Sequence, residues 1–150
     1  IEVLRLYHHN FEQEIFYPSM KEARGLPRLR SMFALWIERV TKEIASGCIY
    51  ISGATEYDDR QGVIRDELVA MVDAWQGALR RATVQAIELG HLRKDIDPEQ
   101  VVYEMYGLIL ELQDGHHYII HRKKKDLKNG ILMILLPKDM IKLEDCSILN

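Results

Sequence analysis

Cysteine is scarce, positive charge is not in excess, and no apolar stretch is long; each shortage removes a class of protein. The two cysteines, Cys48 and Cys146, stand far apart in dissimilar contexts. Neither a disulfide framework nor a zinc-binding spacing can be read from them, and a reducing cytoplasm fits. The longest purely apolar run, 131-ILMILL-136, is far short of the roughly 20 residues that a membrane-spanning helix needs, and no charged-apolar-small leader opens the chain. A soluble protein with no membrane partner is expected. Basic side chains number 20 against 23 acidic, for a net charge of −3. That balance argues against a free-standing nucleic-acid binder, which usually carries a basic patch. No glycine-rich phosphate loop, no Gly-x-Ser-x-Gly elbow and no Ser or Cys with an evident His and acid partner occurs. Cys48 sits among small and apolar residues, which favours an inert buried thiol over an activated nucleophile. An enzyme is disfavoured, and no cofactor is expected.

What the chain does have is helical periodicity. Its 150 residues, 47% of them hydrophobic, suffice for one core burying roughly two-thirds of the unfolded surface. No internal repeat or low-complexity linker divides it, so residues 1–150 are expected to form a single domain. Val3, Leu4, Tyr7, Phe11 and Ile15 fall on one stripe of a first helix, which Pro18 should end or bend. The pattern is already helical at Ile1 and lacks an initiator Met, so a segment upstream is expected, residues 1–20 being the end of a connecting helix. A second helix starts near Pro27 and carries Leu29, Met32, Phe33, Trp36, Ile37, Val40 and Ile44 to a cap at Gly47. Residues 48–57 fit a buried strand or a short helix; the lack of partner strands favours helix.

After Asp58-Asp59-Arg60, the apolar positions Val63, Ile64, Leu68, Met71, Val72, Trp75, Leu79, Ala82, Ala86 and Leu89 mark a long helix ended by Gly90. Asp97-Pro98-Glu99 starts the next: an acceptor at the N-cap, proline in the first helical position and acid in the first turn. It runs through Val101, Val102, Met105, Tyr106, Ile109 and Leu112, then weakens near Asp114-Gly115. A last helix is expected over about 122–136, broken by Pro137, with an irregular tail over 137–150.

Three features invite chemistry. His116, His117 and His121 suggest a metal clamp, but beside 122-RKKK-125 they lack a carboxylate third ligand, and a solvated helix junction is the better reading. Glu88 and His91 have the Glu-x-x-His spacing of di-iron bundles, which need two such motifs and two further glutamates, whereas here Gly90 interrupts a single one. No metal site is therefore expected. The basic run 122-RKKK-125 reads as a solvated face. The aromatic residues say more: they lie on different helices, and several carry a polar tip that needs a partner if buried. Phe33, Trp36, Tyr57, Met71, Trp75, Tyr103 and Tyr106, chosen for their character on core faces, are the expected lining of a small-molecule pocket between helices.

Gly47-Cys48, then Glu56-Tyr57-Asp58-Asp59-Arg60, then Glu88-Leu89-Gly90-His91-Leu92, then Asp95-Ile96-Asp97-Pro98-Glu99-Gln100 occur in an order and spacing that resembles the C-terminal domain of TetR-family transcriptional regulators, over about residues 1–120. The resemblance implies an all-α bundle of about six helices that dimerises and binds an effector. It also implies a short helix through the middle of the domain, where Gly53 and Ala54 allow close helix contact, and an N-terminal helix-turn-helix that reads operator DNA, absent from these residues. The sequence departs from the family pattern after about Gly115, where 122-RKKKDLKNGILMILLPKDM-140 carries a glycine in mid-segment. The expected function is the sensory core of such a regulator: a homodimer, paired through residues near 98–136, binding a small and largely apolar effector and touching operator DNA only through the missing head. The second reading is a helical interaction module with no ligand.

Overall fold

A computed structural model describes residues 1–42, 48–57 and 59–114. Within them the chain is all-α: α1 (Glu2–Phe11), a π-helical turn (Glu12–Phe16), α2 (Tyr17–Met20), α3 (Leu26–Lys42), α4 (Ile49–Tyr57), α5 (Val63–Glu88) and α6 (Pro98–Asp114). The expected helix over 122–136, the tail, the Gly47 cap, the 116–121 histidines and the 122–125 basic run lie outside the described residues.

Pro18 does not end the first helix. The backbone passes from α1 through the π turn into α2, and the Tyr17 N–H bonds Glu12 O, five residues back. Proline has no N–H to give and its ring crowds the carbonyl four residues earlier, so a widened turn just before it lets the helix continue.

The other boundaries follow local chemistry. Gly90 takes φ 75°, and the N–H groups of His91 and Leu92 return to Ala86 O at 2.8 and 3.1 Å, closing α5 with the left-handed turn that glycine permits. Asp97 Oδ1 accepts the Glu99 N–H at 3.0 Å at the start of α6. The long helix α5, 26 residues, is about 39 Å from end to end at 1.5 Å per residue.

Helix α3 is the centre of the packing, against α5, α6, α2 and the π turn, while α4 and α6 lie on α5. Leu29, Met32, Phe33, Trp36, Ile37 and Val40 of α3 are buried with Leu68, Trp75 and Leu79 of α5 and Val102, Met105 and Ile109 of α6. Their three- and four-residue spacing puts one face of each helix into a common core. A Cβ on Gly53 would come within 3.0 Å of Leu68 Cδ2, so α4 and α5 meet closely at that glycine. The first helix is tied on by a salt bridge: buried Arg39 of α3 donates Nη1 to Glu14 Oε2 at 2.6 Å, and its guanidinium lies 4.7 Å from the Tyr7 ring centre. Ser19 and Ser31 hydrogen-bond at 3.2 Å between α2 and α3.

Candidate ligand pocket

The rings of the core form one connected cluster. Trp36 packs edge-on against Trp75 at 5.6 Å between centroids and against Tyr106 at 4.8 Å, with Phe33 at 6.5 Å. Trp75 continues to Phe11 at 4.9 Å, Phe11 to Tyr50 at 4.7 Å, and Tyr50 to Tyr7 at 5.4 Å. The cluster thus runs from α6 through α3 and α5 to α1 and α4. Edge-to-face pairs of this kind stabilise beyond their buried area by about 0.5–1.5 kcal/mol each.

Beside the far end of this cluster is a cavity of about 140 Å³, lined by His8, Phe11, Glu12 and Phe16 of the first helical segment, Tyr50 of α4, and Ala74, Trp75, Ala78 and Arg81 of α5. Ala74, Ala78 and Arg81 stand at i, i+4 and i+7, on one stripe of α5. The two alanines leave the space into which the rings of Phe11, Phe16 and Trp75 do not reach.

A hydrogen-bonded chain crosses one side. Tyr50 is buried, and burial first, then the neighbouring Cys48 and Glu12, push its phenol above the ordinary tyrosine range, against the opposing pull of Arg39. The phenol therefore keeps its proton, and its oxygen is hydrogen-bonded with His8 Nδ1. The other ring nitrogen, His8 Nε2, lies 3.4 Å from Glu12 Oε1, one helical turn along. Tyr7 Oη donates to the buried Cys48 Sγ at 3.3 Å, so the thiol is held as a core group.

The two indole N–H groups of the cluster, Trp36 Nε1 and Trp75 Nε1, are buried without an acceptor among the described residues. Both residues are nearly inaccessible, at 0% and 4% exposed. A buried N–H left without a partner costs roughly 1–3 kcal/mol. Trp75 is the one that also lines the cavity.

Of the seven residues expected in a pocket, Phe33, Trp36, Trp75 and Tyr106 come together, and Trp75 reaches the cavity wall. Met71 is buried on α5, one turn before Trp75. Tyr57 is half-buried at the end of α4, its ring 5.8 Å from the Arg60 guanidinium. Tyr103 is 76% exposed and, with Tyr106, borders a separate open groove of about 410 Å³ between α5 and α6 that also includes Gln76, Asp97 and Glu99. Tyr106 itself is largely enclosed, and burial raises its phenol above the usual range.

Of the residues lining this cavity, sequence reasoning named only Trp75 for a pocket and not His8, Phe11, Glu12, Phe16, Tyr50, Arg81 or the two alanines. The available signal was His8 and Glu12 at four-residue spacing beside Phe11, a polar pair on an otherwise apolar stripe.

The Glu88-x-x-His91 pair has a structural use: His91 Nδ1 accepts the Leu26 N–H at 3.1 Å and so caps the start of α3. Among the described residues no group of three or more His, Cys, Asp or Glu is placed to hold a metal ion, and no helix is long and apolar enough to cross a membrane.

A model of the family described as tetracyclin repressor-like, C-terminal domain, matches residues 25–120. The matched segment takes in α3 to α6; the walls that His8, Phe11, Glu12 and Phe16 contribute lie upstream of it. No curated protein matches the chain.

Proposed function

Because the chain belongs to the tetracyclin repressor-like C-terminal domain family, a family of generally non-catalytic ligand-binding and dimerisation modules, we propose that it is the sensory core of a cytoplasmic transcriptional regulator. It pairs with a second copy, holds a small and largely apolar effector, and controls operator binding by an N-terminal helix-turn-helix of the kind that such regulators carry. The observation that carries this reading is the 140 Å³ cavity whose wall includes a buried indole with an unmatched N–H. The rings of Phe11, Phe16, Tyr50 and Trp75 leave a half-open, mostly apolar recess beside the core, the kind of lining that a small ligand needs.

The position of the cavity also suits regulation. Four of its lining residues belong to α1 and the π turn, so an occupant touches the first helical segment directly. An effector shifts the domain between two arrangements only by its different affinity for them. The π turn at Glu12–Phe16 itself supplies two of the lining residues, Glu12 and Phe16, so an occupant bears directly on it.

For pairing, the supporting feature is α6. Tyr103, Gly107 and Leu110 stand at i, i+4 and i+7; Tyr103 and Leu110 are exposed, and a Cβ on Gly107 would meet no atom within 4 Å. This is an open apolar stripe with a notch, a surface that suits helix-to-helix contact. Native mass spectrometry of the tag-free chain tests both halves of the proposal. A dimer is expected, reduced to monomer by Tyr103→Glu, together with a discrete small-molecule adduct that Ala78→Leu removes. A monomer with no adduct under any condition would sink it.

A further inference from the structure

The lining of the cavity identifies the class of its occupant more closely, on the premise that this is the effector site. Size comes first. A cavity of about 140 Å³ is close to the roughly 150 Å³ at which an engineered apolar cavity accepts benzene. Shape agrees: Phe11, Phe16 and Trp75 provide ring faces and edges, and Ala74 and Ala78 provide a low floor on α5, which together favour a flat occupant over a branched one.

Charge decides the rest. The carboxylate at this site, Glu12, faces the His8 ring, and His8 in turn is engaged by Tyr50. Arg81, at the solvent edge, has no hydrogen bond or ion pair among the described residues. Its guanidinium lies back along α5 toward Gly77, where a Cβ would come within 3.3 Å of Nη1; the missing side chain there leaves room for the guanidinium over the helix. Trp75 contributes ring surface to the wall. The lining therefore has one cationic donor to spare at its edge, and its acidic group faces a histidine. A cationic occupant would meet the Arg81 charge, and a plain hydrocarbon would leave that donor as it is.

We propose that the cavity binds a single-ring aromatic carboxylate. The ring lies among Phe11, Phe16 and Trp75, and the carboxylate oxygens accept from Arg81 through its planar fork. Trp75 acts as the reporter, because its indole is part of the wall.

The test is a titration of the whole chain, followed by tryptophan fluorescence and calorimetry, with benzoate, benzyl alcohol, benzylammonium and octanoate as probes. Benzoate is expected to bind at least tenfold more tightly than benzyl alcohol, with benzylammonium weakest. Arg81→Gln is expected to bring benzoate to within about threefold of the alcohol while leaving the alcohol unchanged. Equal affinity for benzoate and benzyl alcohol, or a preference that survives Arg81→Gln, overturns the carboxylate. Octanoate bound more tightly than benzoate overturns the ring. In either case binding of a probe keeps the effector-site reading intact, whereas failure of all four probes to bind overturns both that reading and the proposed class.

Discussion

Helices α3 and α5 are joined at two places built on opposite terms. At the Gly25–His91 junction the polar groups find partners: the Leu26 N–H has His91 Nδ1, and the last turn of α5 folds its N–H groups back through Gly90 onto Ala86 O. Not even a methyl group fits, since a Cβ on Gly25 would lie 2.5 Å from His91 Nδ1. Around Trp36 and Trp75 the same helices leave two indole N–H groups unmatched, and beside Trp75 a cavity opens between α5, α4 and the first helical segment. The contrast separates a junction that fixes helix geometry from a region with room for something else. A domain that must respond to a ligand needs both, because a ligand can bias an arrangement only if the frame around the site resists collapse into it.

The largest effect is expected where the junction is broken. Gly25 has φ +91°, a conformation that L side chains rarely adopt, and its added Cβ would strike the His91 ring. Gly25→Ala should cost about 3 kcal/mol or more, from roughly 1–3 kcal/mol of backbone strain plus the clash and the lost helix cap. Urea unfolding measures it. His91→Ala alone should cost about 1 kcal/mol, and the double variant less than the sum, because removing the ring removes the clash. Additive costs would show that the two residues do not meet.

The aromatic region should instead fail first in alkali. Tyr50 and Tyr106 both have phenols raised above the ordinary value, chiefly by burial. Above about pH 10 the unfolded chain loses these protons while the folded chain keeps them, so the unfolded state binds fewer protons and stability falls as pH rises. The stabilisation is fully present below about pH 10 and decreases beyond it, by up to about 1.4 kcal/mol per pH unit for each tyrosine. Tyr106→Phe should make the decline shallower in denaturation curves taken between about pH 9 and 11. An unchanged slope would mean that Tyr106 ionises freely in the fold.

These two regions were unequally legible in the sequence. The junction and the helix ends rest on local chemistry: Gly90 after an apolar run, Asp97 before Pro98, and Pro27 in the first turn of α3 each state their role within a few residues. The aromatic core was legible as well, through the spacing of Phe33, Trp36 and Trp75. The cavity was not, because it is defined by what fails to touch. Ala74 and Ala78 look like any helical alanines, and His8 and Glu12 meet Tyr50 only when a helix more than 35 residues away in the chain folds across them. Pro18 acts through a π turn just before it, an adjustment that periodicity does not reveal.

Filling the cavity sharpens the contrast at lower cost. Ala78 is buried on the lining, so Ala78→Leu should stabilise the chain by about 1 kcal/mol, as cavity-filling changes commonly do, while abolishing the binding of any occupant. Thermal unfolding and a benzoate titration of the same preparation read both. A variant that still bound would move the site elsewhere, with the groove beside Tyr103 and Tyr106 as the next place to look.

The smallest effect separates the chain's own stability from its assembly. Gly107 lies inside α6, where glycine costs roughly 0.5–1 kcal/mol relative to alanine, and no atom would oppose the new methyl group. Gly107→Ala should therefore stabilise an isolated chain by about that amount at low protein concentration. If Tyr103, Gly107 and Leu110 form the surface at which two copies meet, the same methyl group stands in the seam where the helices approach most closely. The dimer should then dissociate at a higher concentration than the unaltered one while each chain is harder to unfold. Sedimentation equilibrium across a dilution series, paired with unfolding at a concentration where both proteins are monomeric, measures the two quantities apart. Gains in both would place the pairing surface on another face of the domain.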